Sequence, residues 1–337
     1  MPLVPLRGPI PSMTIPLIFC VDVEPDPRLV NHDDPEPWVG YEITQRYLRE
    51  LRPRIEAVTG APVHYSWVLR IDAQIAEPYG TGTWIVDRYP AHIEEIQRAG
   101  DEIGAHPHAY RWLENERSWL HDFGNQAWVE HCLTMSLEGF AKALGRTCIS
   151  LRFGDRWLNT KTVNLAERLG IRFDLTVEPG TLPYPTPYPG ERASGPLPDY
   201  RRVPRVPYSP LSGDFRRAGR REGRTIRLIP LTAGYLRLGF HPRQYLRRMR
   251  ANGVHGRRQN VPLYMWEPWP APNTFDRMLD RALAAQRRPY LAFAIRTCPN
   301  IQEVVGPRVD ALLAHPARSR FRFSTPAEAL AELERAT

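Results

Sequence analysis

Lysine is nearly missing from this chain. Of 45 basic residues in 337, only Lys142 and Lys161 are lysines, so arginine supplies the rest. Schiff-base chemistry and a Walker-type phosphate loop each require a lysine, and both lose nearly all their candidates. Cysteine is scarce too: the four, at 20, 132, 148 and 298, show no paired short spacing. That excludes a zinc-finger arrangement and points to a reducing compartment. No stretch of about 18 apolar residues exists to span a bilayer, and the first ten residues, with one arginine and three prolines, make a poor signal peptide. These absences predict a cytoplasmic protein with no membrane partner. No internal repeat is visible, and residues 1–13 read as a loosely ordered leader ahead of one domain over 14–337.

What is present is the composition of a globular chain, 42% hydrophobic and 24% charged. Its 35 prolines are about twice ordinary usage and predict short, well-punctuated helices, not a coiled coil or bundle. The net charge of +8 is unevenly placed. Between Arg192 and Arg258, 17 arginines face Asp199, Asp214 and Glu222, a local balance of +14 that leaves −6 for the remainder. Such a block suits an anionic substrate, a nucleic acid or an acidic surface, or is a solvated arginine face. Tyr184, Tyr188, Tyr200 and Tyr208 interleave with it, but no nucleic-acid motif accompanies them, which argues against nucleic acid.

The pattern along the chain alternates strand and helix. Residues 15–23 (IPLIFCVDV) form a short apolar run that ends in acids, as a buried strand opening into a loop does. Helical spacing follows over 43–58, then strands over 62–72 and 101–106, a helix over 127–144, a strand over 148–153, a helix over 159–169 and a strand over 173–177. After an interruption of proline, glycine, tyrosine and arginine at about 180–225, strands at 225–229 and 290–295 and helices at 242–249 and 275–286 resume it. The alternation predicts an α/β fold with a parallel sheet, of barrel type because chemistry-bearing residues repeatedly follow strand ends.

Asp22 and Glu24 lie two apart at a strand end, so both point one way; such a pair holds a metal, or supplies a base beside one. His106 and His108 flank Pro107 after another strand, and His-x-His there suits a transition metal. Arg152 ends a third strand, where it would orient a catalytic carboxylate or form a surface ion pair. Arg70, Asp72, Tyr110, Trp112, Asp155, Trp157, Glu178 and Arg296 also fall at or just after strand ends, and aromatic rings beside charged tips suit a sugar; each alone is equally a packing residue.

In order and spacing these motifs resemble the NodB-type polysaccharide deacetylases, carbohydrate esterase family 4. VDVE (21–24) resembles the first motif of that family, DEIGAHPHAYRW (101–112) the second, LRFGDRW (151–157) the third, and IRFDLTVEPG (171–180) the strand and turn beyond; the likeness is good over 15–180 and loose over 225–298. It implies a distorted (β/α)7 barrel, a divalent metal that is usually zinc, and deacetylation of an N-acetylated sugar or related amide. Asp22 would be the base, Glu24 and His106 metal ligands, and Arg152 the partner of the base. The chain departs from the pattern three times. Val23 separates the two acids, Tyr110 stands where a second metal histidine is usual, leaving His108 as its substitute, and Arg296 stands where a general-acid histidine is usual. His32, His241 and His255 are the candidates for that acid. The departures keep a second reading open, a glycan-binding relative with lost or altered chemistry.

Overall fold

The computed structural model describes residues 13–219, 223–236, 246, 259–265 and 274–335. Its centre is a curled parallel sheet that follows the path β12-β1-β2-β3-β6-β7-β9. The strands are β1 (Ile15–Val23), β2 (Ser66–Leu69), β3 (Glu102–Ala105), β6 (Ser150–Leu151), β7 (Phe173–Asp174), β9 (Arg227–Leu228) and β12 (Leu291–Arg296), with β13 (Phe321–Phe323) added beside β1. Past β9 the chain runs on to the far edge, where Thr232 N donates to Ala292 O at 2.8 Å and the barrel nearly closes. The seven-stranded barrel expected from the sequence is the fold observed.

Every residue of β1 is buried, because both faces of a barrel strand are covered. Ile18 and Cys20 point inward with Val68, Leu175, Ile229, Ala292 and Ala294, while Leu17, Phe19, Val21 and Val23 meet the helices outside. Ala329 and Leu330 of the last helix (Pro326–Arg335) pack into this core. The outer layer includes α1 (Val39–Thr59), α2 (Ala73–Tyr79), α3 (Trp84–Arg88), α4 (Pro90–Arg98), α5 (Gln126–Leu144), α6 (Thr160–Arg168), α7 (Thr274–Ala284) and α8 (Ile301–Ala314). Their ends follow local chemistry: Asp72, Asn125 and Asn159 cap α2, α5 and α6 by accepting from backbone N–H groups. No helix among the described residues is long and apolar enough to cross a membrane.

Three things differ from the sequence reading. The strands over 148–153 and 173–177 shrink to Ser150–Leu151 and Phe173–Asp174. An antiparallel hairpin, β4 (Tyr110–Leu113) with β5 (Ser118–His121), follows the His-Pro-His segment and pairs with β8 (Arg192–Ala193). Within the insertion expected at about 180–225, Leu197, Tyr200, Val203, Tyr208 and Phe215 are buried in the core, which the sequence reading did not anticipate. The expected leader, apart from Met13, and the expected helix at 242–249, apart from Leu246, lie outside the described residues.

Candidate metal centre and cavity

Parallel strands deliver their carboxyl ends to one mouth, and there β1 brings Asp22 and Glu24, β3 brings His106 and His108, and β6 brings Arg152. Glu24 Oε1 lies 3.2 Å from His106 Nε2 and 3.7 Å from His108 Nε2, and the two Nε2 atoms are 3.2 Å apart. All three side chains are buried.

The outer partners set the tautomers. His106 Nδ1 is 2.6 Å from Arg152 O, which can only accept, so Nδ1 carries the proton and Nε2 turns a lone pair inward. His108 Nδ1 does the same toward Asp155 Oδ2 at 3.1 Å. Two imidazole lone pairs and a carboxylate oxygen within 4.8 Å of one another repel unless a positive charge lies between them. This donor set, two nitrogens and an oxygen with each imidazole anchored from behind, fits a divalent transition metal. The surrounding charge agrees: burial alone would lower the pKa of His106, yet Asp22 and Glu24 outweigh it and raise it. For Glu24 burial pulls upward, but Arg296 and the two histidines hold the carboxyl well below its usual range.

Beneath the ligands is a buried scaffold. Arg70, fully buried, donates to Asp72, to Gln74 and, at 3.3 Å, to Glu24 Oε2. Asp72 in turn accepts from His108 N at 2.8 Å. Arg152 is saturated: Nε reaches both oxygens of Asp22 at 3.0 Å, Nη1 reaches Leu175 O at 2.8 Å and Nη2 reaches Glu178 Oε1 at 2.9 Å. Asp155 accepts from His108 and, at 2.9 Å, from His121 Nδ1, and it meets Arg28 with its other oxygen. Burial would raise the Asp155 carboxyl, but His108 and Arg28 hold it well below the usual range.

A cavity of about 400 Å³ opens above this floor. Asp22, Glu24, His106, Arg152, Asp155, Glu178 and Arg296, all named from the sequence, line it, and His108 sits behind with its nitrogen in the ligand cluster. Other expected substrate contacts do not reach this wall. Arg70 and Asp72 are sealed beneath Glu24 and His108. Tyr110 is buried, stacked on His108 with ring centroids 5.3 Å apart, and Trp157 stacks on Phe123 at 5.4 Å. Trp112 lies in a separate surface recess, stacked on His32, so His32 is not at the cavity either. His241 and His255 lie outside the described residues.

Nine of the 17 arginines between Arg192 and Arg258, at 220, 221, 237, 243, 247, 248, 250, 257 and 258, lie outside the described residues. Among the described residues, the arginines on the wall are Arg28, Arg152, Arg156 and Arg296, while Arg192, Arg201, Arg216 and Arg224 pair with acids elsewhere. Arg28, Arg156, Tyr188 and Tyr264 were not singled out as site residues from sequence, nor were His121 and Glu191. For His121 the one available signal is its place opposite Tyr110 in a hairpin that no motif announces.

No family profile and no curated protein matches this chain. Solved structures do. A protein from Parabacteroides distasonis described as a glycoside hydrolase/deacetylase matches with TM-score 0.53 and 14% identity over 96% of this chain and 73% of its own. A polysaccharide deacetylase from Mycobacterium smegmatis, so described, matches with TM-score 0.46 and 12% identity over 100% of this chain and 95% of its own. At such identities the likeness is one of fold: the chain has the curled parallel barrel of the glycoside hydrolase/deacetylase structure, with its candidate centre at the carboxyl end of the strands.

Proposed function

We propose that this chain is a metal-dependent hydrolase of a C–N amide bond that removes the acetyl group from an N-acetylated sugar or a related small molecule. The observation that carries the reading is the convergence of Glu24, His106 and His108 beside the Asp22–Arg152 pair on one cavity wall. A divalent cation held by those three ligands, zinc in the usual case, supplies Lewis-acid polarisation of the amide carbonyl and an acidified water.

The protein's own groups do the rest. Arg152 holds the Asp22 carboxylate toward the cavity through one N–H shared between both oxygens, which places it to take the proton of an attacking water. Breaking the amide then requires a proton on the leaving nitrogen. Arg296 cannot give one, because a guanidinium stays protonated. Apart from His106, no imidazole lines the cavity among the described residues, so the proton accepted by Asp22 is the one available to the amine. Arg296, 3.4 Å from Glu24 Oε2, acts through its charge.

The test is acetate release from a panel of N-acetylated sugars together with metal analysis. Wild type is expected to carry a divalent metal near stoichiometry and to release acetate; His106→Ala loses both. A metal-free protein from metal-replete preparations defeats the proposal. Arg296 at the expected histidine position favours a second reading, a sugar-binding relative without this chemistry, which tight binding with no acetate release would support.

A further inference from the structure

We infer that the cavity selects a compact substrate bearing an anionic group, a carboxylate or a phosphate, which Arg156 and Arg296 hold. The inference rests on reading Glu24, His106 and His108 as a divalent-metal site.

Charge balance makes the first argument. Among the described residues, the ion pairs at the cavity form three sets, each with two anions and two cations. Asp22 and Glu178 share Arg152 and Arg156. Asp155 and Glu191 share Arg28 and His121. His121 counts as a cation because each of its nitrogens faces a carboxylate oxygen, which only accepts. Glu24 and Asp72 share Arg70 and Arg296. Among the described residues these three sets cancel, so a divalent cation held by neutral His106 and His108 adds two positive charges to a largely buried space. Proton transfer from water to Asp22 does not change that sum, since the proton stays in the cavity. An uncompensated charge in such a place is costly, so the ligand that closes the cavity is favoured when it brings negative charge.

Spare donors make the second. Arg152 has all three nitrogens engaged, and Arg28 is tied to Asp155 and Glu191. The Arg156 side chain, by contrast, makes one hydrogen bond among the described residues, to Tyr264 Oη at 3.3 Å, and stands 3.8 Å from Glu178 Oε2. Arg296 uses Nη2 on the carbonyls of Pro25 and Asp26 and turns Nε to Glu24 Oε2 at 3.4 Å, which leaves Nη1 without a hydrogen bond among the described residues.

Backbone strain makes the third. Asp155 and Arg156 both adopt left-handed φ, at 55° and 59°, where glycine is the easy residue. Arginine is held there against its preference. The turn sends Asp155 to His108 and His121 and places Arg156 on the cavity wall, and strain of this kind is retained where a side chain must be delivered to a site. The size of the space, about 400 Å³, is at the low end for small-molecule pockets and suits one or two sugar units, not a long polymer.

The experiment begins with a zinc titration of the full chain, then measures calorimetric binding of N-acetylglucosamine, N-acetylglucosamine 6-phosphate and N-acetylmuramic acid to the zinc-loaded protein. At least one anionic sugar is expected to bind about ten-fold or more tightly than the neutral one, and which one does so names the group. Arg156→Gln and Arg296→Gln are each expected to shrink that preference while zinc is still taken up. Equal affinity for all three sugars overturns the inference and leaves the metal reading standing. So does a preference that survives in both variants, which would place the anion on the metal alone. Failure to take up zinc in the first titration overturns the metal reading and this inference with it.

Discussion

Gly154 lies against the His108 ring so closely that a Cβ there would overlap Cδ2 and Nε2. The ring can yield only by carrying Nε2 away from Glu24 and His106. Gly154→Ala is therefore expected to weaken zinc binding, read by competition with a chromophoric chelator, and to cost about 1–3 kcal/mol in urea unfolding, the usual range for overpacking. Unchanged zinc affinity would show that the ring position is not what holds the ion. Arg152 is the opposite case, a side chain whose loss leaves partners stranded. Arg152→Met removes the cation between Asp22 and Glu178, the latter with a side chain 1% exposed. Breaking a buried pair on one side typically costs about 3–5 kcal/mol. Urea unfolding near neutral pH should show a loss of that order, and a loss under about 1 kcal/mol would mean that water reaches both acids.

Between elements, a ring of four charged groups ties the barrel sheet to the smaller β4-β5-β8 sheet. Arg28 in the loop after β1 meets Asp155 after β6 and, at 2.8 Å, Glu191 before β8, and His121 at the end of β5 bridges the same two acids at 2.9 and 2.8 Å. Burial would lower the His121 pKa, but Asp155 and Glu191 outweigh it and raise it above the ordinary value. A folded-state pKa above the unfolded one contributes stability that is complete below about 6.5 and is lost as pH rises through the raised value. Glu191 has the reverse shift: burial pulls it upward, but His121 and Arg28 hold it low, so its contribution is present above the usual carboxylate range and fades as pH falls through the depressed value. With metal removed by chelator, the unfolding midpoint is thus expected to decline from mildly acidic toward alkaline pH, and His121→Gln to flatten that decline. A variant with the wild-type alkaline slope would dismiss the ring as its source.

Across the whole molecule, the metal reading couples residues 82 apart in sequence, Glu24 and His106, which only the folded barrel brings together. A ligand that binds the folded state alone stabilises it by about 2.7 kcal/mol at a hundred times its Kd. Zinc should raise the unfolding temperature, chelator should reverse the rise, and His106→Ala should show neither; a zinc shift of wild-type size in that variant would place the ion elsewhere. The parallel barrel class and the grouping of Asp22, Glu24, His106, His108 and Arg152 at strand ends were legible in the sequence, because apolar runs that end in chemistry are local patterns and parallel strands share one mouth. Exposure was not legible: Arg70 and Asp72 follow a strand end as Arg152 does, yet both are sealed. Nor was the ring of Arg28, Asp155, His121 and Glu191, whose members stand up to 163 residues apart, or the aim of Arg156, which depends on a strained turn. The sequence by itself determined which residue types stand at the strand ends, since that is set by neighbours in the chain. Only the tertiary structure decided which of them face the cavity and which support it, because burial and charge pairing depend on how distant loops cross above the barrel.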